Sequence, residues 1–458
     1  MADTTLEPDQ GAEVSDAARD ALGGLTRRLA EFAVSFRLEQ APEEVLGNAR
    51  SAILDCIGVS VLAVPQEIGQ ALLSFARADG AEGPCTFWGT PITTSARDAA
   101  LFNGTLAHGL DFDDRNHSST YSLAAPLALA EQHGLSGAGV LEAFIVGREV
   151  RNSLDAIFVS RGSGIGPGAK GWHSNGILGP MASAAASARV LDLDADQTLA
   201  ALGLAGGSCG ALTRDGGTMA KPYRCGHAAA TGVTCALLAK HGFSSDGTVL
   251  EGRFGLLEAV GPLPGSILEA LATRLGLEFN LSSPLRGKRF ASCTASHSGI
   301  EAMLRLGARD SVAPEDVAEI ACDLKPYPLV RARPTRGVEG RFSLPFCLAL
   351  ALLNGDVTPH DFTDANVADP RVQRLIGATR HAPGSDRLTV TLRDGRKLEE
   401  PLKPPANLQG WEAFAGKFLG SVREVLGEAK GQSVVDLVAG LEEVPSIGEL
   451  TRHLRTEA

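Results

Sequence analysis

Between His108 and Tyr121 the chain reads His-Gly-Leu-Asp-Phe-Asp-Asp-Arg-Asn-His-Ser-Ser-Thr-Tyr, with Asp111, Asp113 and Asp114 between two imidazoles. Carboxylates this dense repel one another, which raises the pKa of one and prepares it as an acid or base near neutrality. Asp and His also bind divalent ions, but no Glu-x-x-His or His-x-x-x-His pair here fixes a metal geometry. A solvated acidic loop, with an Asp capping the next helix, accounts for the same text. Gly171-Trp172-His173-Ser174-Asn175-Gly176 stands directly before helical text. Its free N–H groups would suit a carboxylate and His173 could move a proton, or Ser174 or Asn175 could cap the helix above a packed His173. In Gly216-Gly217-Thr218-Met219-Ala220-Lys221-Pro222 the glycines admit close backbone approach. Lys221 then either offers a point charge to a carboxylate or is a surface lysine in a Gly-rich turn, which the spacing alone favours. The run is not a phosphate-binding loop, which needs Gly-Lys-Ser/Thr. Lys288-Arg289 precede Cys293 and His297, which would share a face on a helix. They suggest an anion contact, or a Cys–His pair if the thiol pKa were lowered.

The elements that must position these residues are mostly helical. Val45, Ala49, Ala52, Ile53 and Cys56 recur at threes and fours behind Pro42-Glu43-Glu44, a proper helix opening. Helical text continues through 96–110, 126–157, 176–206 and 225–242, with a capped start at Asp194. Near Ser282 the texture changes. Residues 317–324 are strand-like, 387–398 form a hairpin around Asp394-Gly395, and Phe342 to Leu353 suit a buried helix. After Lys403-Pro404-Pro405, helices return at 411–427 and 446–455. The pattern predicts a mainly α protein. A disordered arm (1–18) precedes a helical domain in two parts (19–283 and 406–458), interrupted by a smaller α+β domain (284–405).

Bulk properties narrow the function classes. A net charge of −12 and no long Lys/Arg run argue against nucleic acid as a partner. The eight cysteines show no C-x-x-C spacing, so neither a disulfide framework nor a zinc site is signalled. No uninterrupted apolar run approaches the roughly 18 residues of a membrane span. The acidic, polar start is unlike a signal or transit peptide, and the expected location is cytoplasmic.

Taken in order, LDCIGV (54–59), FNGTLAHGLDFDD (102–114), GWHSNGILGPMASAAA (171–186), GGTMAKPYRCGHAA (216–229), FGLLE (254–258), KRFASCTASH (288–297) and RFSLPF (341–346) resemble the MmgE/PrpD family. That is a family of dehydratases, decarboxylases and epimerases, and the similarity spans about residues 20–455. The resemblance implies a large discontinuous helical domain with an inserted α+β lid, a homodimer, and no metal or organic cofactor. It also implies catalytic roles for Asp111, His173, Lys221 and Lys288, with His297 in the same cleft. One departure concerns the family's His-Pro pair. Straight counting puts Tyr121 at the family's catalytic His, whereas a gap puts His117 there; His117 is preferred. Cys293 stands where some members have His. The expected chemistry is proton transfer next to a carboxylate of a small di- or tricarboxylic acid. The lysines, with Arg115 or Arg289, would hold carboxylates, and His117 or His173 would carry the proton. A lyase of dehydratase or decarboxylase type is the first reading and an epimerase the second. A non-catalytic ligand-binding protein is the third.

Overall fold

The computed structural model describes residues 23–114, 116–158, 170–261, 279–324 and 329–457. The expected arm 1–18 and Arg115 lie outside them.

The chain is mainly helical. Its principal helices before the change of texture are α1 (Leu25–Ser35), α2 (Glu43–Ala63), α3 (Glu67–Asp79), α4 (Ala96–Ala107), α5 (Ser118–His133), α6 (Gly137–Ser153), α7 (Ser174–Val190), α8 (Ala195–Gly206) and α9 (Ala220–Lys240). Helix α2 begins after Pro42 with Glu43 and Glu44 in its first turn, where acids complement the helix dipole. At Asp194 the side chain accepts from the N–H groups of Asp196 and Gln197 and starts α8. The helical text over 126–157 is two helices rather than one. Gly134, left-handed at φ 64°, ends α5, and Ser136 caps α6.

Helix α2 is long and apolar enough, by length and composition, to cross a membrane. It is instead a core helix, buried among its neighbours along most of its length.

Beyond residue 290 come α10 (Thr294–Asp310), β1 (Val317–Cys322), α11 (Leu344–Asn354), α12 (Pro370–Ala378), β2 (Thr379–His381), β3 (Arg387–Leu392) and β4 (Lys397–Pro401). The sheet order is β2-β1-β3-β4, with β1 parallel to β2 and antiparallel to β3. Strands β3 and β4 are the expected hairpin, turning at Asp394 and Gly395 (φ 87°). Its alternating Leu388, Val390 and Leu392 are buried. The chain then returns to helix α13 (Trp411–Ala439), which is kinked at Gly427.

Among the described residues two apolar cores result. One joins α1, α2, α4 to α9 and α13. The other is built on the sheet and α10 to α12, yet also takes in Val59, Leu62, Phe102 and Leu106 from α2 and α4, and Leu110 and Phe112 from the loop after α4. The conspicuous loop after α4 therefore runs along the seam between a helical body and the mixed segment.

Candidate active site

Helices α4 and α9 meet through two glycines. A Cβ on Gly226 would lie 2.0 Å from Thr105 Oγ1 and 2.1 Å from the Leu101 carbonyl, and one on Gly104 would lie 3.1 Å from the Gly226 Cα. Only hydrogen fits there, so the helices approach closely and the end of α4 faces the start of α9. His108, the C-cap of α4, consequently meets Lys221 in the first turn of α9. Lys221 is buried, contrary to the surface-turn reading.

The loop after His108 folds its polar groups inward. Asp111 (φ 49°) and His117 (φ 60°) both occupy the left-handed region. Few non-glycine residues do so, and such conformations persist where surrounding contacts over-determine them. Asp113 is the hub: Oδ1 lies 2.9 Å from His108 Nδ1 and Oδ2 lies 2.9 Å from His117 Nδ1. A carboxylate only accepts, so both imidazoles donate from Nδ1, which leaves Nε2 of each as the position that a proton can join or leave. Lys221 Nζ donates to His108 Nε2 (2.5 Å) and to Asp111 Oδ1 (2.6 Å). Lys288 Nζ lies 3.0 Å from Asp111 Oδ2 and donates to the Asp111 carbonyl at 2.7 Å. The two imidazole centroids are 4.1 Å apart, and His117 Nε2 lies 3.9 Å from Asp111 Oδ1. Asp114 faces away into a separate pair with Arg148 (2.5 Å) and Ser119.

The electrostatics differ from the expectation of a raised carboxyl in this loop. Burial raises the Asp111 carboxyl, but Lys221 and then Lys288 outweigh it and hold it well below the usual range. Burial likewise acts on Asp113, and its two imidazole partners overcome it. Asp114 is lowered against burial chiefly by Arg148. His108 is pushed down to about 3 by burial, with Lys221 adding to it against the pull of Asp113, so this ring is neutral at ordinary pH. A buried guanidinium completes the wall: Arg341 donates to the carbonyls of Leu110 (3.1 Å) and Ala291 (2.7 Å). Burial brings its pKa down to about 10, partly offset by Asp111. Phe342 places its ring 5.1 Å from Lys221 Nζ.

Of the residues singled out from sequence, the structure brings Asp111, His117, Lys221 and Lys288 into hydrogen-bonding or ion-pair distance of one another or of Asp113. His173 is half-buried at the N-cap of α7, where its Nδ1 accepts from the Asn175 N–H (3.3 Å). Tyr121 is fully buried in α5, and its hydroxyl lies 3.5 Å from Asn175 Oδ1. His117, rather than Tyr121, thus stands beside Asp111 and Asp113. Arg289 is exposed and lies over Phe290, turned from the cluster that its neighbour Lys288 enters. Cys293 caps α10 and is buried; burial raises its thiol pKa and Asp111 raises it further, the opposite of an activated nucleophile. His297 is buried against Phe290 and donates from Nε2 to the Ser292 carbonyl (3.2 Å). Burial drives its pKa down to about 4, with Lys288 acting in the same direction.

His108, Asp111, Asp113 and His117 offer four donor atoms within 4.8 Å of one another, a grouping that could hold a metal ion. Their surroundings oppose it. Both Nδ1 atoms are committed to Asp113, and the ammonium groups of Lys221 and Lys288 already lie against Asp111 and His108. A divalent cation would have to displace two positive charges, so the donor set does not fit one.

The sequence assigns no individual role to His108, Asp113 or Arg341. The first two lie in the acidic loop, and their signal is the spacing His-x4-Asp-x3-His, which lets one carboxylate bridge two rings. Arg341 opens the RFSLPF run, but nothing in that run says that its guanidinium turns inward.

Residues 27–264 match the MmgE/PrpD N-terminal domain and residues 290–443 the MmgE/PrpD C-terminal domain. The chain belongs to the MmgE/PrpD family. It is similar to the cis-aconitate decarboxylase of Homo sapiens, 25% identical over 465 residues covering 95% of each chain. It is also similar to the cis-aconitate decarboxylase of Aspergillus terreus, 26% identical over 483 residues, covering 95% of this chain and 96% of that one. Cis-aconitate decarboxylase-like protein oryM of Aspergillus oryzae is 25% identical, covering 93% and 96% respectively.

Proposed function

We propose that the protein is a lyase that removes CO2 or water from a small di- or tricarboxylic acid, with cis-aconitate the first substrate to test. The observation that carries this reading is the junction of Lys221 and Lys288 on Asp111 beside His117 Nε2. Not counting the imidazoles, Lys221 and Lys288 set two positive charges against the carboxylates of Asp111 and Asp113, and Arg341, held on the carbonyls of Leu110 and Ala291, adds a third. This leaves a buried excess of positive charge that an acid substrate would neutralise. Two of the relatives named above are cis-aconitate decarboxylases, which favours the decarboxylating form.

His117 is the most open member of the cluster, its side chain 17% exposed against 10% for Lys221 and less for the rest. With Nδ1–H fixed on Asp113, the ring works at Nε2: as the neutral imidazole it takes the proton from the carbon next to a carboxylate in dehydration, and as the imidazolium it gives its Nε2 proton to the carbon that CO2 leaves in decarboxylation. Lys221 and Lys288 stabilise the enolate-like charge that develops meanwhile. His173, at the start of α7, is assigned the second proton position. The mixed segment acts as a lid: Arg331 Nε reaches the Gly216 carbonyl (3.2 Å) just before Lys221, and closure there excludes water.

The test is incubation in D2O with cis-aconitate, citrate and 2-methylcitrate, followed by NMR. Loss of CO2 or water from one of them, abolished in Lys221→Met, supports the lyase. Deuterium exchange at an α-carbon without net product would replace it by an epimerase. Turnover of none, with a thermal shift from one, would replace it by a binding protein.

A further inference from the structure

The left-handed turn at Asp111 is held in part from outside the reacting cluster. Three successive carbonyls each accept from a buried cation, and each cation comes from a different stretch of chain. Leu110 O accepts from Arg341 (3.1 Å), Asp111 O from Lys288 (2.7 Å) and Phe112 O from Lys417 (2.6 Å). Lys417 belongs to α13, and its ammonium also lies 3.8 Å from the centre of the Phe112 ring. Its counter-ion is Asp55 in the middle of α2, at 2.7 Å, and both side chains are almost fully buried. No hydrogen bond or ion pair places Lys417 on Asp111, Asp113 or an imidazole. Its grip on the site is through the carbonyl and ring of Phe112, the residue between the two aspartates.

A buried ion pair of this kind adds little net stability over apolar side chains of the same volume, because desolvation offsets the attraction. Its position suggests another use. Asp111 must keep φ positive for its carboxylate to face Lys221 and Lys288 while Asp113 turns back to both imidazoles. A charge-assisted hydrogen bond to the peptide between them fixes that reversal. Resting on the proposed function, we infer that Lys417, held by Asp55, is a positioning residue that sets the relative orientation of Asp111 and Asp113. On this account, α13 helps build the active site although none of its side chains enters it.

The experiment compares wild type, Lys417→Arg, Lys417→Met and the double variant Asp55→Asn/Lys417→Met. The double variant removes both charges together, so that no buried carboxylate is left unpaired. Each is labelled with 15N-histidine, and the His108 and His117 resonances are assigned through His108→Gln and His117→Gln. The readout is the tautomer signature of the two rings at fixed pH, which needs no substrate. Loss of the Nδ1-protonated signature at His117 in the double variant, with its retention in Lys417→Arg, is the expected result. Where an acid is turned over, kcat falls at least about tenfold in the double variant while KM changes little, as expected when a distant change misplaces catalytic groups. Unchanged ring signatures in a folded double variant, with only a lower Tm, would overturn the inference. Lack of turnover by wild type would count against the function and leave the ring signatures to decide the positioning role.

Discussion

The ammonium of Lys221 lies 2.5 Å from Nε2 of His108, although 113 positions separate the two residues. The same Nζ is 2.6 Å from Asp111, so one lysine fixes both a neutral imidazole and a carboxylate. Lys221→Met should lower kcat/KM by about 10²–10³, the range seen when one preorganised charge-stabilising donor is lost. Tm should fall only modestly, since Asp111 keeps Lys288. Steady-state kinetics on the substrate found above, with calorimetry, checks both halves. A normal kcat/KM would remove Lys221 from the mechanism.

The two claimants to the proton-transfer role can be separated by substitution. Tyr121 is sealed in the core with its hydroxyl near Asn175, and burial pushes its pKa upward, so Tyr121→Phe should change kcat less than about threefold. His117→Asn should cost 10²–10⁴-fold, the usual contribution of a positioned acid or base. The reverse ordering, measured with one substrate at one pH, would return the role to Tyr121.

Much of this was legible in the sequence because local rules and tertiary demands agree. Pro42-Glu43-Glu44, the Asp194 cap and the Asp394-Gly395 turn form where their chemistry requires. The site was legible as segments rather than as partners. Nothing local to Gly216-Gly217-Thr218-Met219-Ala220-Lys221 says that its lysine is buried; that follows from Gly226 packing on Thr105, a contact between distant helices. The same limit explains the expectation of a raised carboxyl in the acidic loop. Charge density along the chain suggests repulsion, but the fold supplies each of Asp111, Asp113 and Asp114 with its own counter-groups. Burial does raise carboxyls elsewhere: Asp55 inside α2, to about 6, and Glu149 in α6.

The glycine contact itself can be tested. Gly226→Ala would put a methyl 2.0 Å from Thr105 Oγ1 and 2.1 Å from the Leu101 carbonyl, so α4 and α9 must separate. Overpacking of this kind costs about 1–3 kcal/mol or more. Because the displacement parts His108 from Lys221, kcat should fall with Tm. An active Gly226→Ala enzyme of wild-type stability would contradict the packing described here.

Treatment with EDTA and removal by dialysis should leave kcat and Tm unchanged. Lys221 and Lys288 place positive charge where a divalent ion would sit among His108, Asp111, Asp113 and His117. Elemental analysis of the purified protein decides the matter independently. Stoichiometric zinc or iron, together with activity lost to chelation and restored by the ion, would mean that the lysines yield to a metal.

Stability should fall on mild acidification, and two variants should bend that dependence in opposite directions. His297 has a folded pKa of about 4 against the usual 6.5. Between those values the unfolded chain binds a proton that the folded chain refuses. Its contribution is therefore complete above 6.5 and lost as pH falls toward 4, with a slope of up to about 1.4 kcal/mol per pH unit. His108, at about 3, acts with the same sign. Asp55 opposes them: its folded pKa is about 6 against 3.8, so the folded state holds the extra proton. Its contribution is present below 3.8 and lost as pH rises through 6. Asp111 and Asp113, held low, lose theirs only below the usual carboxylate range, outside this window. The drop in Tm between pH 7 and pH 4.5 should thus be smaller in His297→Gln than in wild type and larger in Asp55→Asn. Differential scanning calorimetry at matched ionic strength measures all three. Parallel curves would mean that neither group changes its proton affinity on folding.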